Sequence, residues 1–176
     1  GGAVAASSSV PLTVNGASFS GNRADKGYGG ALYASGLNTV LKNVKFDGNT
    51  ALYGGGIMKF GNMTIGGGSS FTNNKASAGG AVFTLGTLNL DTTEGDILFS
   101  GNKAEDASEG GADIYLNTGG GTVVNIQGDA NVLAMDGGFS GSGVINKTGG
   151  NTLVFGENAD NSLFRGEFNQ SAGTTL

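Results

Sequence analysis

"FSGNRA", residues 19–24, returns with small changes as "FDGNTA" at 46–51, "FTNNKA" at 71–76 and "FSGNKA" at 99–104. Phe19, Phe46, Phe71 and Phe99 thus recur at a nearly constant interval. A second signal alternates with the first: "GGAL" at 29–32, "GGGI" at 54–57, "GGAV" at 79–82 and "GGAD" at 110–113. It follows each phenylalanine at a nearly constant offset, and the chain itself opens on "GGAV". Two motifs locked in phase over four periods define a repeat array, in which each unit buries its apolar face only by stacking on its neighbours.

This period predicts an all-β fold, a right-handed parallel β-helix whose turn is built from three short strands and three corners. A chain of 176 residues then makes about six to seven coils. Glycine supplies 36 residues and cuts every stretch that might sustain a helical apolar period, which excludes helical repeats. Apolar residues instead alternate in short runs such as "TVLKNVKF", "TLNL" and "TVVNI", the pattern of half-buried strands. Collagen is excluded by a single proline and by the lack of glycine at every third position. Leucine-rich repeats are excluded because no "LxxLxLxxN" ladder is present.

Equivalent residues of successive coils lie about 4.8 Å apart, so each motif becomes a column. Phe19, Phe46, Phe71 and Phe99 are expected to stack inside, where aromatic rings bury the most area. Asn22, Asn49, Asn74 and Asn102 are expected to form a ladder at a corner, taking the left-handed backbone conformation that asparagine tolerates. Gly29 and Gly30, Gly54 and Gly55, Gly79 and Gly80, and Gly110 and Gly111 mark a second corner, where positive φ or close backbone approach excludes a Cβ. Leu32, Ile57 and Val82 then begin inward-facing strands. Asp113 holds that place in the fourth repeat with Ile114 after it, so the register is expected to shift by one there.

The chemistry-bearing residues are sparse. No cysteine, histidine or tryptophan is present, which removes thiol nucleophiles, disulfides and the commonest general base and metal ligand. A net charge of −5 with nine scattered basic residues argues against nucleic acid and anionic membrane surfaces as partners. No segment is apolar enough to span a bilayer as a helix, and the chain reads as a fragment of a longer one. Polysaccharide lyases and hydrolases on β-helices need carboxylates clustered at equivalent positions of one sheet, together with a basic residue for the lyases. Asp47 is aligned with Ser20, Thr72 and Ser100, and the only arginines, Arg23 and Arg165, lie at opposite ends. No catalytic residue, metal ligand or cofactor site is assigned.

Three surface features remain. Seven of the fourteen acids fall between Asp91 and Asp113, and the interval from Gly79 to Gly110 is longer than the one from Gly54 to Gly79. An insertion of about six residues, "DTTEGD" or "AEDASEG", is expected to loop outward. Asp91, Glu94, Asp96, Glu105, Asp106 and Glu109 then form a contact or calcium-binding loop, or a plain solvated one. Arg23, Lys75 and Lys103 follow the ladder asparagines as a sparse outward column that solvates the sheet. Among the aromatics, Tyr28, Tyr33, Tyr53 and Tyr115 are the candidates for a carbohydrate platform. Tyr33 should face outward by alternation, while Tyr28 and Tyr53 should stack at one corner.

The alternation of "FxxN" with "GGA[ILV]" over residues 1–115 resembles the repeat of the chlamydial polymorphic outer-membrane proteins. "GGGI" and "GGAD" depart from its second motif. Residues 141–176 resemble the autotransporter-associated strand repeat, with Lys147, Gly149, Thr152, Leu153 and Gly156 on its pattern. The resemblance divides the chain into coils of the first type at 1–118 and coils of the second type at 119–176. It implies a non-catalytic passenger of the type V secretion route, at the outer membrane and cell surface of a Gram-negative bacterium or released from it. Membrane association would run only through a β-barrel outside residues 1–176. The implied role is adhesion, with a host-cell or bacterial surface protein or glycan as partner and no cofactor. A structural stalk and a polysaccharide-active enzyme are the alternatives.

Overall fold

The computed structural model describes residues 1–7, 10–36, 38–108, 110–117, 119 and 121–176. Its strands pair in parallel, each with the equivalent strand one coil away. Sheet A stacks Val4–Ala6, Leu32–Ser35, Ile57–Phe60, Val82–Leu85, Ile114–Leu116 and Phe139–Gly141. Sheet B runs from Leu12–Asn15 to Glu167–Gln170 and sheet C from Ser18–Ser20 to Thr174–Thr175, each with seven strands. The chain is therefore a β-solenoid of about seven turns.

The expected three strands per coil hold only in the later coils. The earlier ones carry a fourth, in sheet D: Arg23–Tyr28, Thr50–Tyr53, Lys75–Ala76 and Lys103–Ala104. These segments lie between the ladder asparagine and the glycine pair, that is, between the two expected corners. The two proposed sequence regions share sheets A, B and C without a break, since Ile114 pairs with Phe139, Leu88 with Val124 and Phe99 with Met135. The proposed boundary residue, Thr118, lies outside the described residues.

Alternation explains the core. In sheet A the first and third residues of each strand point inward, so Leu32, Ile57, Val82, Ile114 and Phe139 form one buried column. Sheet C contributes the phenylalanines. Ring centroids are 4.8 Å apart for Phe19 and Phe46, 5.0 Å for Phe46 and Phe71, and 4.8 Å for Phe71 and Phe99, all stacked. The last three are fully buried and Phe19 is half-buried.

The two corners work differently. At the glycine pair the first residue needs positive φ, 62° at Gly29 and Gly79 and 64° at Gly54. The second needs space: a Cβ on Gly30, Gly55 or Gly80 would strike the carbonyl oxygen of Gly55, Gly80 or Ala112 in the next coil. In the fourth repeat Val82 pairs with Ile114, so Gly111 occupies the place of Gly79 and Asp113 that of Ala81. At the phenylalanine corner it is not the ladder asparagine that turns left-handed. The preceding residue does: Gly21, Gly48 and Gly101 at φ 64°, 64° and 62°, and Asn73 at 55°.

The extra length of the fourth coil is also split rather than gathered in one loop. The step from Phe71 to its partner Phe99 is longer than that from Phe46 to Phe71, so part of the insertion enters before the corner. The step from Val82 to Ile114 is longer again than that from Ile57 to Val82, so the rest enters after it.

Candidate functional site

The outward residues of sheet A break the usual rule that a solvent face is polar. In "LYAS", "IMKF", "VFTL" and "IYL" the second residue of each strand points out, and register sets Tyr33, Met58, Phe83 and Tyr115 in one column. Phe60 and Leu85 stand in the next outward column. Tyr28 and Tyr53, paired across sheet D, arrive from the side just before the glycine corner. Their rings stack at a centroid distance of 6.0 Å, and Tyr28 lies 6.2 Å from Tyr33. Tyr53 tilts against Phe83 at 5.2 Å, and Phe83 stacks on Tyr115 at 4.8 Å.

Together Tyr28, Tyr53, Met58, Phe60, Phe83, Leu85, Tyr115 and Asn117 line an open groove of about 300 Å³. Its floor is tight, with Met58 and Phe83 each 5% exposed, while Tyr28 at its edge is 45% exposed. Among the described residues that line it, none carries a charge. Of the four candidate tyrosines, Tyr28, Tyr53 and Tyr115 line the groove and Tyr33 stacks beside it on Tyr28; Met58, Phe60, Phe83 and Leu85 were not among the candidates. Their signal was strands apolar at both inward and outward positions, which marks a sheet with something apolar on each face.

On the inner side of the same strand, Lys59 is fully buried and donates to the carbonyl of Gly36 at 3.1 Å. Burial holds its ammonium below the usual lysine range. Lys147 is buried likewise, donating to the carbonyls of Gly149 and Asn151 and to Asn151 Oδ1 at 3.0, 2.6 and 2.8 Å. Both ammonium groups thus serve carbonyl oxygens at turns, fastening corners from within.

The ladder asparagines form a one-way chain. Asn22 Nδ2 donates to Asn49 Oδ1 at 2.8 Å, Asn49 Nδ2 to Asn74 Oδ1 at 2.9 Å and Asn74 Nδ2 to Asn102 Oδ1 at 3.0 Å. The same amides of Asn49, Asn74 and Asn102 also bond the carbonyls of Phe19, Phe46 and Phe71, tying the two motifs across coils. The chain ends where Asn102 Nδ2 meets Asp113 Oδ1 at 2.9 Å. Asp113 is fully buried, and its other oxygen accepts from the backbone of Gly137 and Gly138. Burial pushes this carboxyl up to about 6, against the pull of those N–H donors. A second asparagine ladder, on the outside of sheet B, links Asn89, Asn125, Asn146 and Asn169 in the opposite sense.

The described acids do not converge. Asp91 accepts from Thr93 and Gln127, Asp96 from the backbone of Val132, and Asp106 from Ser108. Glu94 pairs with Lys42 at 2.9 Å and Glu105 with Lys75 at 2.7 Å. Glu109 lies outside the described residues. Among the described residues no group of three His, Cys, Asp or Glu side chains is placed to hold a metal ion. Lys75 and Lys103 stand in register with Arg23 along sheet D through Thr50, and Arg23 pairs with Asp25.

Residues 16–35 and 68–85 match the family model of the Chlamydia polymorphic membrane protein repeat. Both matched segments run from the phenylalanine corner through a full "GGA" plus apolar signal, which the second and fourth repeats lack. No curated protein and no solved structure matches the chain significantly. The chain is a parallel β-solenoid that carries the polymorphic membrane protein repeat.

Proposed function

We propose that this solenoid is a segment of a surface-displayed bacterial passenger, and that it adheres to host or neighbouring cells through the aromatic groove of sheet A rather than catalysing a reaction. The groove carries the reading. An outward trough of rings costs solubility, and the coils are already held together from within by phenylalanine and asparagine columns. Exposed concave aromatic surface is where binding energy concentrates. The repeat match supports display at an outer membrane, as such passengers are displayed.

The test is a binding assay with the purified, fluorescently labelled chain on intact epithelial cells and on Gram-negative bacterial cells. Saturable binding to either, competed by unlabelled chain, is the expected result. Absence of binding to both would leave the segment as a stalk.

A further inference from the structure

Building on that adhesive reading, we infer that the groove takes an uncharged linear oligosaccharide, laid along the solenoid axis. Charge is the first discriminator. The chain has nine basic and fourteen acidic residues, yet none of those described lines the groove. A sialylated or sulfated glycan, or an acidic peptide, would lose hydration there with no counter-charge in the lining.

The mixture of groups is the second. Tyr28, Tyr53 and Phe60 offer ring surface, while the Tyr28 and Tyr53 hydroxyls add donors and acceptors and the Asn117 side-chain N–H₂ adds donors, its oxygen being held by the Gly119 N–H. A sugar ring has the matching halves, a face of C–H groups and a rim of hydroxyls. An aliphatic side chain, or the apolar face of a second copy, would leave the Tyr28 and Tyr53 hydroxyls and the Asn117 N–H₂ unmatched.

Direction is the third. Register places the outward residues of sheet A one above another along the axis, and Tyr28 above Tyr53 beside them. Steps of about 4.8 Å repeat the wall along the trough. Such a wall suits a polymer of repeated rings better than a single compact ligand.

The composition supplies the assay. The chain has four tyrosines and no tryptophan, and all four tyrosines pack in or against this groove. Tyrosine emission therefore reports on it alone. The chain is titrated with linear hexamers of glucose, N-acetylglucosamine and mannose, and with sialylated and sulfated oligosaccharides, following emission and saturation-transfer NMR.

A saturable response to a neutral hexamer, weaker for its dimer and absent for the charged sugars, is expected. Tyr28→Ala, at an exposed edge, should weaken it about tenfold, and Phe60→Ala should act in the same direction. Failure of every neutral hexamer, preference for a charged sugar, or binding indifferent to both substitutions overturns the inference. Loss of cell binding in Tyr28→Ala without any sugar response would refute the glycan while keeping the adhesive groove. A sugar response without cell binding would do the reverse.

Discussion

The side-chain amide of Asn102 donates to the carboxylate of Asp113 at 2.9 Å, and by that bond the inner asparagine ladder ends on a buried acid. Every amide in the ladder points its N–H toward that end, so the aligned dipoles favour a negative terminus. Desolvation opposes them and, with the nearby charge of Asp136, prevails: the carboxyl rises from 3.8 to about 6.

A folded value above the unfolded one means that ionisation costs stability. The cost is absent below the unfolded value, grows as pH rises from about 4, and is complete above about 6. Asp47, held low by hydrogen bonds from Thr72 and Asn73, acts oppositely and only below that window. Thermal melts across this range should therefore show a fall in Tm with rising pH that Asp113→Asn removes. The variant should also melt lower throughout, because its amide N–H₂ would face the Gly137 or Gly138 N–H in place of an acceptor. An unchanged pH slope in Asp113→Asn would refute this role.

The phenylalanine stack should be stronger in its middle than at its end. Phe71 is fully buried between Phe46 and Phe99, and Phe71→Ala should cost about 3–5 kcal/mol in urea unfolding. Phe19, half-buried and stacked on one side, should cost clearly less. Equal costs would mean that the column does not act as a stack.

Glycine positions that look alike in sequence should respond differently. Gly55→Ala drives a Cβ into the Gly80 carbonyl of the next coil and should abolish or severely weaken folding. Asn73→Gly restores the residue found at the other three corners and relieves a φ of 55°, at the loss of the Asn73 bond to Asp47. Its effect should stay within about 1 kcal/mol. Circular dichroism melts of both variants check the contrast.

Calcium should leave the melting temperature unchanged. Asp91 and Asp96 serve separate partners, and Glu94 and Glu105 are in ion pairs with Lys42 and Lys75. A rise in Tm with millimolar calcium that Asp91→Asn with Asp96→Asn removes would show that these acids do converge on a cation.

The stacking was legible because its causes are periodic. Phe46 and Phe71 share a column because one coil separates them, and a coil of constant length leaves a constant interval in the sequence. The fourth sheet was not legible, because Lys75–Ala76 and Lys103–Ala104 are too short to alternate visibly. The left-handed corner was misassigned by one position, since glycine or asparagine precedes every ladder asparagine and both tolerate the conformation. The groove was half legible. Its tyrosines announced themselves as amphipathic, but Met58 and Phe83 carry no polar group to mark them, and register shows that they point outward beside Tyr33. Asp113 read as a lapse from the repeat. Its meaning depends on Gly137 and Gly138 one coil later, which no local pattern reveals.

Cell binding compared between two faces tests the central claim most directly. One variant combines Tyr28→Ser and Phe60→Ser in the groove; the other is Leu98→Ser, an exposed apolar residue on sheet C and thus outside the groove. With equal melting profiles, the groove variant should lose most binding and Leu98→Ser should keep it. Equal binding by both variants would contradict adhesion through the aromatic groove.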